Sequence, residues 1–271
     1  MDSTRLPRCL LAPALLAAAL ASPACSAPLA SAFAMPHATL GPTAADDSGW
    51  THKIAPYVWG AGISGDVATF SGAPPAELDV SFSDILENLD ATLMVTGHSR
   101  NGDFGIFYDV FWMDLTVDGS TPGPLFDGVE YDMSTLVVTV GPTYRLVDGE
   151  HGSVDAVAAL RRWDVDNSLK LDGGLLPDAK VSDHESWVDP MVGLAGERQL
   201  SEHWGATGWL FGAVGGDSDK SWDAFAGARR ATGDGDALVI GYRHLEVDFD
   251  DGGFLFDVEI SGPIVGWVFP F

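Results

Sequence analysis

From residue 51 onward the apolar residues of this chain recur in twos. In the stretch Gly262-Pro263-Ile264-Val265-Gly266-Trp267-Val268-Phe269-Pro270-Phe271, the side chains of Val265, Trp267, Phe269 and Phe271 stand at every second position. Successive side chains of an extended strand point to opposite faces, so these four share one face. Such a stripe must lie against something apolar, either a second protein layer or lipid. Nine earlier segments have the same character, at 51–65, 90–100, 103–117, 131–146, 153–166, 184–199, 203–215, 218–231 and 236–250, with the tenth at 253–271. Clusters of Gly, Asp, Asn and Ser separate them, as turns require. Past the leader no run of eighteen apolar residues occurs, so a transmembrane helix is not expected.

The first residues read differently. Arg5 and Arg8 precede an apolar centre around Leu10, Leu11, Leu15 and Leu16, and Ala32-Phe33-Ala34 offers a small-residue cleavage pattern. This is the layout of a secretory signal peptide, assigned to residues 1–34, with a short linker at 35–49 and the folded body at 50–271. Prolines at 7, 13, 23 and 28 make the same stretch a poor membrane anchor. Cys25 suggests a lipoprotein, but the leucine expected three residues before it is absent.

Both cysteines lie in the leader, so the exported body is expected to have no disulfide, thiolate-metal or cysteine-nucleophile chemistry. Of 14 basic and 39 acidic residues, the leader holds Arg5, Arg8 and Asp2, leaving 12 against 38. That balance argues against nucleic acid as a partner. It also argues against a polybasic surface for anionic lipid. Acidic loops of this kind keep a water-facing rim soluble, and cations or a basic partner are the ligands they would accept.

Connections alternate in length. Asn101-Gly102 and the stretches 147–152, 200–202 and 232–235 are short, whereas 66–89, 118–130 and 167–183 are long. Even-numbered segments end on arginine before a short turn, at Arg100, Arg145, Arg198 and Arg229-Arg230. Odd-numbered segments run into acids, at Asp114 and Asp118, Asp164 and Asp166, Asp217 and Asp219, and Asp248 to Asp251. Strands alternating in direction would collect guanidinium groups at one rim and carboxylates at the other.

Faces can be assigned for several strands. In 103–117, Phe104, Ile106, Tyr108, Val110 and Trp112 form one face, and Gly105, Phe107, Asp109, Phe111 and Met113 the other. In 187–199, Val188, Pro190, Val192 and Leu194 are expected to face lipid, and Trp187, Asp189 and Gly193 the interior. Leu238, Ile240 and Tyr242 change parity with Leu245, Val247 and Phe249, which predicts a bulge near Arg243. The nine tryptophans are expected mostly near strand ends, as an interfacial girdle. One helix is predicted over 81–89, where Phe82, Ile85, Leu86 and Leu89 have helical spacing and Ser81 or Ser83 could cap.

Four stretches carry a resemblance: Phe82 to Asp90, Val188 to Gly196, Gly241 to Gly252 and Phe254 to Pro263. On these the chain resembles a poorly characterised family of Gram-negative outer-membrane β-barrel proteins. Its aromatic ending at Val265, Trp267, Phe269 and Phe271 is similar to the assembly signal of such barrels. The resemblance implies residence in the outer membrane with both termini periplasmic. Outer-membrane lipid, lipopolysaccharide and the barrel assembly machinery would be the partners. It supplies no substrate and no catalytic residues.

The expected fold is therefore all-β: a single antiparallel transmembrane barrel of ten strands, within a range of eight to twelve, with a short helix in the first outer loop. Enzyme families of this size each lack a part here. Omptin-type proteases pair two aspartates with Asp-x-His; Asp164 with Asp166, or Asp248 with Asp250, could supply the first half, but no Asp-x-His occurs. Lipid A deacylases use His-x-Ser, and the only match, His151-Gly152-Ser153, falls in a periplasmic turn. Outer-membrane phospholipases need a Ser/His pair on one face, and His98-Ser99 are adjacent, hence on opposite faces. No catalytic residue and no cofactor are assigned. Calcium is the one ion the acidic hairpins invite, through Asp217, Asp219, Asp248, Asp250 and Asp251. The expected role is a non-enzymatic narrow pore or an envelope-integrity protein, with Asp109 and Asp189 biasing passage toward small or cationic solutes and Trp187 narrowing the lumen. The first alternative is a surface protein whose acidic loops bind calcium or lipopolysaccharide, and an omptin-like or lipid-modifying barrel enzyme ranks below it.

Overall fold

The computed structural model describes residues 49–68, 75–120, 124–233 and 235–271. The proposed leader, its cleavage site and most of the linker lie outside these residues. Among the described residues, twelve strand segments and one helix occur in the order β1 (Thr51–Trp59), β2 (Gly62–Ala68), β3 (Ala76–Val80), α1 (Phe82–Glu87), β4 (Leu89–Asn101), β5 (Phe104–Gly119), β6 (Phe126–Gly149), β7 (Gly152–Gly173), β8 (Ala179–Gln199), β9 (Trp204–Ala213), β10 (Lys220–Gly233), β11 (Asp236–Asp251) and β12 (Phe254–Pro270).

Every pairing is antiparallel between neighbours, and the sheet closes on itself. β1 and β2 are successive parts of one stave, because both pair with β12, with Ile54 opposite Phe269 and Ile63 opposite Ile260. β3 and β4 likewise pair with β2 and β1, and α1 interrupts them. Twelve segments thus make ten staves. At the seam the terminal residue is held as firmly as a mid-strand one. His52 and Phe271 exchange two backbone hydrogen bonds of 3.0 Å, and their rings stack at 5.2 Å.

Local sequence explains the interruptions. Ser81 caps α1: its hydroxyl accepts from the Asp84 amide while the Asp84 carboxylate accepts from the Ser81 amide, a reciprocal capping box. Ile85 turns inward to the buried cluster, and Phe82 and Leu86 stay partly exposed, so α1 is built into the wall. Asn101-Gly102 and Asp251-Gly252 form tight hairpins, with each glycine at φ +59°, which a side chain would strain.

The exterior separates into two zones. Val58, Leu93, Ile106, Val140, Leu160, Val192, Leu210, Ile240 and Val265 give nine of the ten staves a large apolar side chain exposed on the outside. The remaining stave, β10, presents Ala224, Ala226 and Ala228. This is the lipid-facing belt of a transmembrane barrel. Farther from the termini, the same outward positions become Asp114, Asp132, Asp164, Asp166, Glu246, Asp248, Asp257 and Glu259.

Three expectations change. β11 keeps an unbroken register against β10 and β12 from Ala237 to Asp248, so there is no bulge at Arg243. Leu238, Ile240 and Tyr242 face lipid, while Leu245, Val247 and Phe249 face an interior that is itself apolar at that level. The parity change records a change in the lumen, not in the backbone. The long connections 118–130 and 167–183 are mostly strand, since β6, β7 and β8 run for 24, 22 and 21 residues. The tryptophans also divide: Trp59, Trp163 and Trp187 are buried inside the barrel rather than set in a girdle.

Candidate functional site: a layered lumen

Inward-facing side chains fill the barrel in three layers. Farthest from the termini is an aromatic layer. Trp163 on β7 stacks on Trp187 of β8 at 5.5 Å, and Trp187 stacks on Phe249 of β11 at 4.2 Å, with interplanar angles of 8° and 6°. Phe254 and Phe256 of β12 pack around the same tryptophan. β8 and β11 are three staves apart, so the contact crosses the bore. Val165, Val247 and Val258 complete a layer that excludes water. The indole N–H groups of Trp163 and Trp187 find no partner among the described residues.

The middle layer is ionic. Arg243 donates to Asp109 (2.8 Å) and to Asp223 (2.7 and 3.1 Å), and its other terminal nitrogen donates to the Tyr57 hydroxyl at 2.8 Å. Tyr57 donates to Asp109 at 3.1 Å. Arg161 donates to Asp223 at 2.6 Å and to Thr139 at 2.9 Å, and Trp209 donates to Asp223 at 2.9 Å. The Arg243 guanidinium also lies 4.9 Å from the Trp59 ring centroid and 5.3 Å from that of Trp209. Two arginines balance two aspartates, and seven staves contribute. Removed from water, such charges persist only when paired and hydrogen-bonded, as they are here.

Nearest the termini is a vestibule, a cavity of about 320 Å³ between the ionic layer and the short-turn end. Lys53, His98, Arg100, Arg145, Asp155, Glu197 and Arg229 line it, above a floor that includes Phe107 and Trp209. Lys53 pairs with Glu197 at 2.9 Å. Asp155 receives Arg100 and, more loosely at 3.5 Å, Arg145. His98 meets the Thr143 hydroxyl at 2.9 Å, and Arg229 donates to Gln199 at 3.1 Å.

The positions singled out from sequence separate between these layers. Trp187 belongs to the aromatic layer and Asp109 to the ionic one. Asp189 is buried, but it is tied into the wall. β9 stops opposite Met191, and the loop that follows covers the exposed edge of β8. There the Ser218 amide and hydroxyl donate to Asp189 at 3.0 and 2.8 Å, and Asp217 accepts from the Val188 amide. Neither Asp109 nor Asp189 offers a free carboxylate to a passing ion. The arginines placed at one rim, Arg100, Arg145 and Arg229, are the ones that converge in the vestibule.

The acidic candidates lie elsewhere. Asp248 and Asp250 point outward beyond the apolar belt, on the far rim. Burial, and repulsion from Asp257, Asp219 and Asp250, push the Asp248 carboxyl above the usual range. The hydrogen bond from Lys220 holds Glu246 below it. Asp217 is engaged by the Val188 amide, and Asp251 closes the β11–β12 turn. A tighter cluster forms across β7 and β8, where ligand atoms of Asp164, Asp166 and His184 lie within 4.8 Å of one another. It is a cross-strand meeting of residues eighteen or more apart, which spacing along the chain does not reveal.

Sequence reasoning missed the rest of the network: Arg243 and Tyr57, which bond to Asp109, and Asp223 and Arg161, which join it through Arg243. Each stands mid-strand on the parity opposite the lipid-facing residues. A charge at such a position is the available signal.

No protein-family model and no curated protein matches the chain. Among solved structures, the outer membrane protease OmpT of Escherichia coli is similar, with a TM-score of 0.51 and 9% identity over 82% of this chain and 97% of that one. The translocator domain of the autotransporter NalP from Neisseria meningitidis gives 0.39 at 12% identity over 83% and 89% of the two chains. The attachment invasion locus protein Ail of Yersinia pestis gives 0.33 at 12% identity over 82% and 99%. The likeness to OmpT, at 9% identity, shows the fold alone, which is that of a Gram-negative outer-membrane β-barrel.

Proposed function

We propose that this protein is a non-enzymatic outer-membrane barrel that is closed at rest and contributes to envelope integrity, with both termini on the periplasmic side. The carrying observation is the aromatic stack of Trp163, Trp187 and Phe249 directly above the Arg243 network. Together these fill the cross-section a solute would need. A ten-stave barrel is close to the size at which side chains alone can fill the interior. Any passage of small solutes requires these two layers to rearrange together.

The position of the far-rim acids supports a role without turnover. Trp163, Val165 and Asn167 face inward, so Asp164 and Asp166 between them face outward. Val247 and Phe249 likewise send Asp248 and Asp250 outward. No aspartate pair from these stretches is aimed into the barrel mouth. Planar-bilayer recording of the folded protein tests the closed reading: baseline current without long-lived open levels is expected, and a steady conductance in the unmodified protein would overturn it.

A second reading, a surface protein that binds divalent cations, is favoured by the Asp164, Asp166 and His184 cluster. Two carboxylates and an imidazole suit a zinc-type ion, whereas calcium would draw on the carboxylates alone. Calorimetric titration with each ion distinguishes the two, and no heat with either removes this reading.

A further inference from the structure

The vestibule inverts the charge of the molecule around it. The chain carries a net charge of −25 with only 14 basic residues. Four of those, Lys53, Arg100, Arg145 and Arg229, line one cavity of about 320 Å³, with two carboxylates, Asp155 and Glu197, in the same lining and a third, Asp148, on Arg145. We propose that this vestibule is a binding site for a small anion bearing a phosphate or carboxylate group, entering from the end that carries the termini.

Three observations support it. First, the cations are not used up by their neighbours. Arg100 satisfies Asp155 through one terminal nitrogen, while its other terminal nitrogen is buried and has no partner among the described residues. Arg145 gives one terminal nitrogen to Asp148 at 3.1 Å, while its buried Nε makes no hydrogen bond among the described residues and lies 3.5 Å from Asp155. Guanidinium groups with spare donors are the groups that grip phosphate and carboxylate oxygens in pairs. Second, with Asp148 on Arg145 counted beside Asp155 and Glu197, four cations still face three carboxylates, so an anion completes the charge balance that the ionic layer achieves internally. Third, the size and mixture fit: the volume is at the lower end of small-molecule sites, with aromatic surface from Phe107 and Trp209 beside a few convergent polar groups. The acidic far rim cannot compete for such a ligand, and the aromatic layer blocks access from that side. The proposal stands whether or not the barrel conducts.

Calorimetric titration of the folded, full-length barrel in uncharged detergent tests it, with inorganic phosphate and citrate as probes at low ionic strength, where charge pairing is least screened. One saturable site per barrel is expected for at least one probe. Arg229→Gln should weaken binding at least about tenfold, roughly 1.4 kcal/mol. This variant strands no carboxylate, because Arg229 pairs with neutral Gln199. Lys53→Gln, at a half-exposed position, is the second variant should Arg229→Gln fold poorly, and Arg162→Gln on the outer wall should leave binding unchanged. Nanodiscs with and without phosphatidylglycerol distinguish the source. Loss of phosphate binding only with the anionic lipid assigns the site to a lipid headgroup, and equal binding in both assigns it to a soluble anion. Absence of saturable binding, or binding unaffected by both Arg229→Gln and Lys53→Gln, would overturn the proposal.

Discussion

The two ends of the lumen solve the same problem, filling a bore about ten staves around, by opposite means. At the far end, Trp163, Trp187, Phe249, Phe254 and Phe256 fill it with rings and leave no charge. At the terminal end, Lys53, Arg100, Arg145 and Arg229 leave a charged cavity open. Between them the Arg243 network belongs to neither: it is as dry as the first and as polar as the second. Aromatic packing tolerates no gap, because each lost contact is a lost dispersion gain with nothing to replace it. A charged vestibule tolerates space, because water or a ligand can satisfy its donors. Closure should therefore depend on the far half and recognition on the near half.

The largest expected effect breaks the boundary between them. Arg243→Met leaves Asp109 and Asp223 facing each other in the dry layer, and about 3–5 kcal/mol of stability should be lost. Urea unfolding followed by heat-modifiable gel mobility measures it. Replacing Asp109 with Asn in the same molecule should recover part of the loss, and a purely additive double variant would show that the two do not act as a pair.

Trp187→Ala attacks the far half alone. Removing the middle ring of the stack should cost about 3 kcal/mol or more. In bilayer recordings it should also produce open events absent from the parent. A stable variant with a silent trace would mean that the ionic layer closes the bore unaided.

Smaller effects belong to the near half. Arg100→Gln leaves Asp155 with only the loose Arg145 contact, and a loss of about 1–3 kcal/mol is expected in the same urea assay. Lys53→Gln should change stability by about 1 kcal/mol or less, since both partners are about two-fifths exposed and so partly screened by water. A near-half variant as damaging as Arg243→Met would erase the distinction between the layers.

The smallest effect lies outside the lumen. Asp248 has a raised carboxyl pKa on the far rim. The folded state therefore takes up this proton before the unfolded chain does. That contribution to stability is full below the ordinary value of 3.8 and is lost as pH rises through the folded value. Asp248→Asn should flatten this part of the thermal stability profile against pH, and an unchanged acid limb would remove Asp248 as its source.

Much of the barrel is visible in the chain. Alternation at Phe104 to Met113 and Val188 to Leu194 separates lipid-facing from inward residues, and Asn101-Gly102 marks a hairpin by its glycine. The 81–89 helix is legible from Ser81 and the spacing of Phe82, Ile85 and Leu86. The site was less legible. Asp109 stands out as an inward charge, but its partner Arg243 lies 134 residues away. The change of parity around Arg243 looks like a backbone defect until the interior it faces is known.

Sequence by itself bounded the stave count to eight to twelve around ten, and gave the lipid-facing side of most staves and the separation of arginine from aspartate rims, because strand alternation and turn chemistry are local. Only the tertiary structure decided that Trp187 stacks between Trp163 and Phe249, that Arg243 joins Asp109 to Asp223, and that three rim arginines share one cavity. These meetings cross the bore. Which residues face each other there depends on how far each stave is shifted along its neighbour as the sheet closes, and that shift accumulates around the whole barrel.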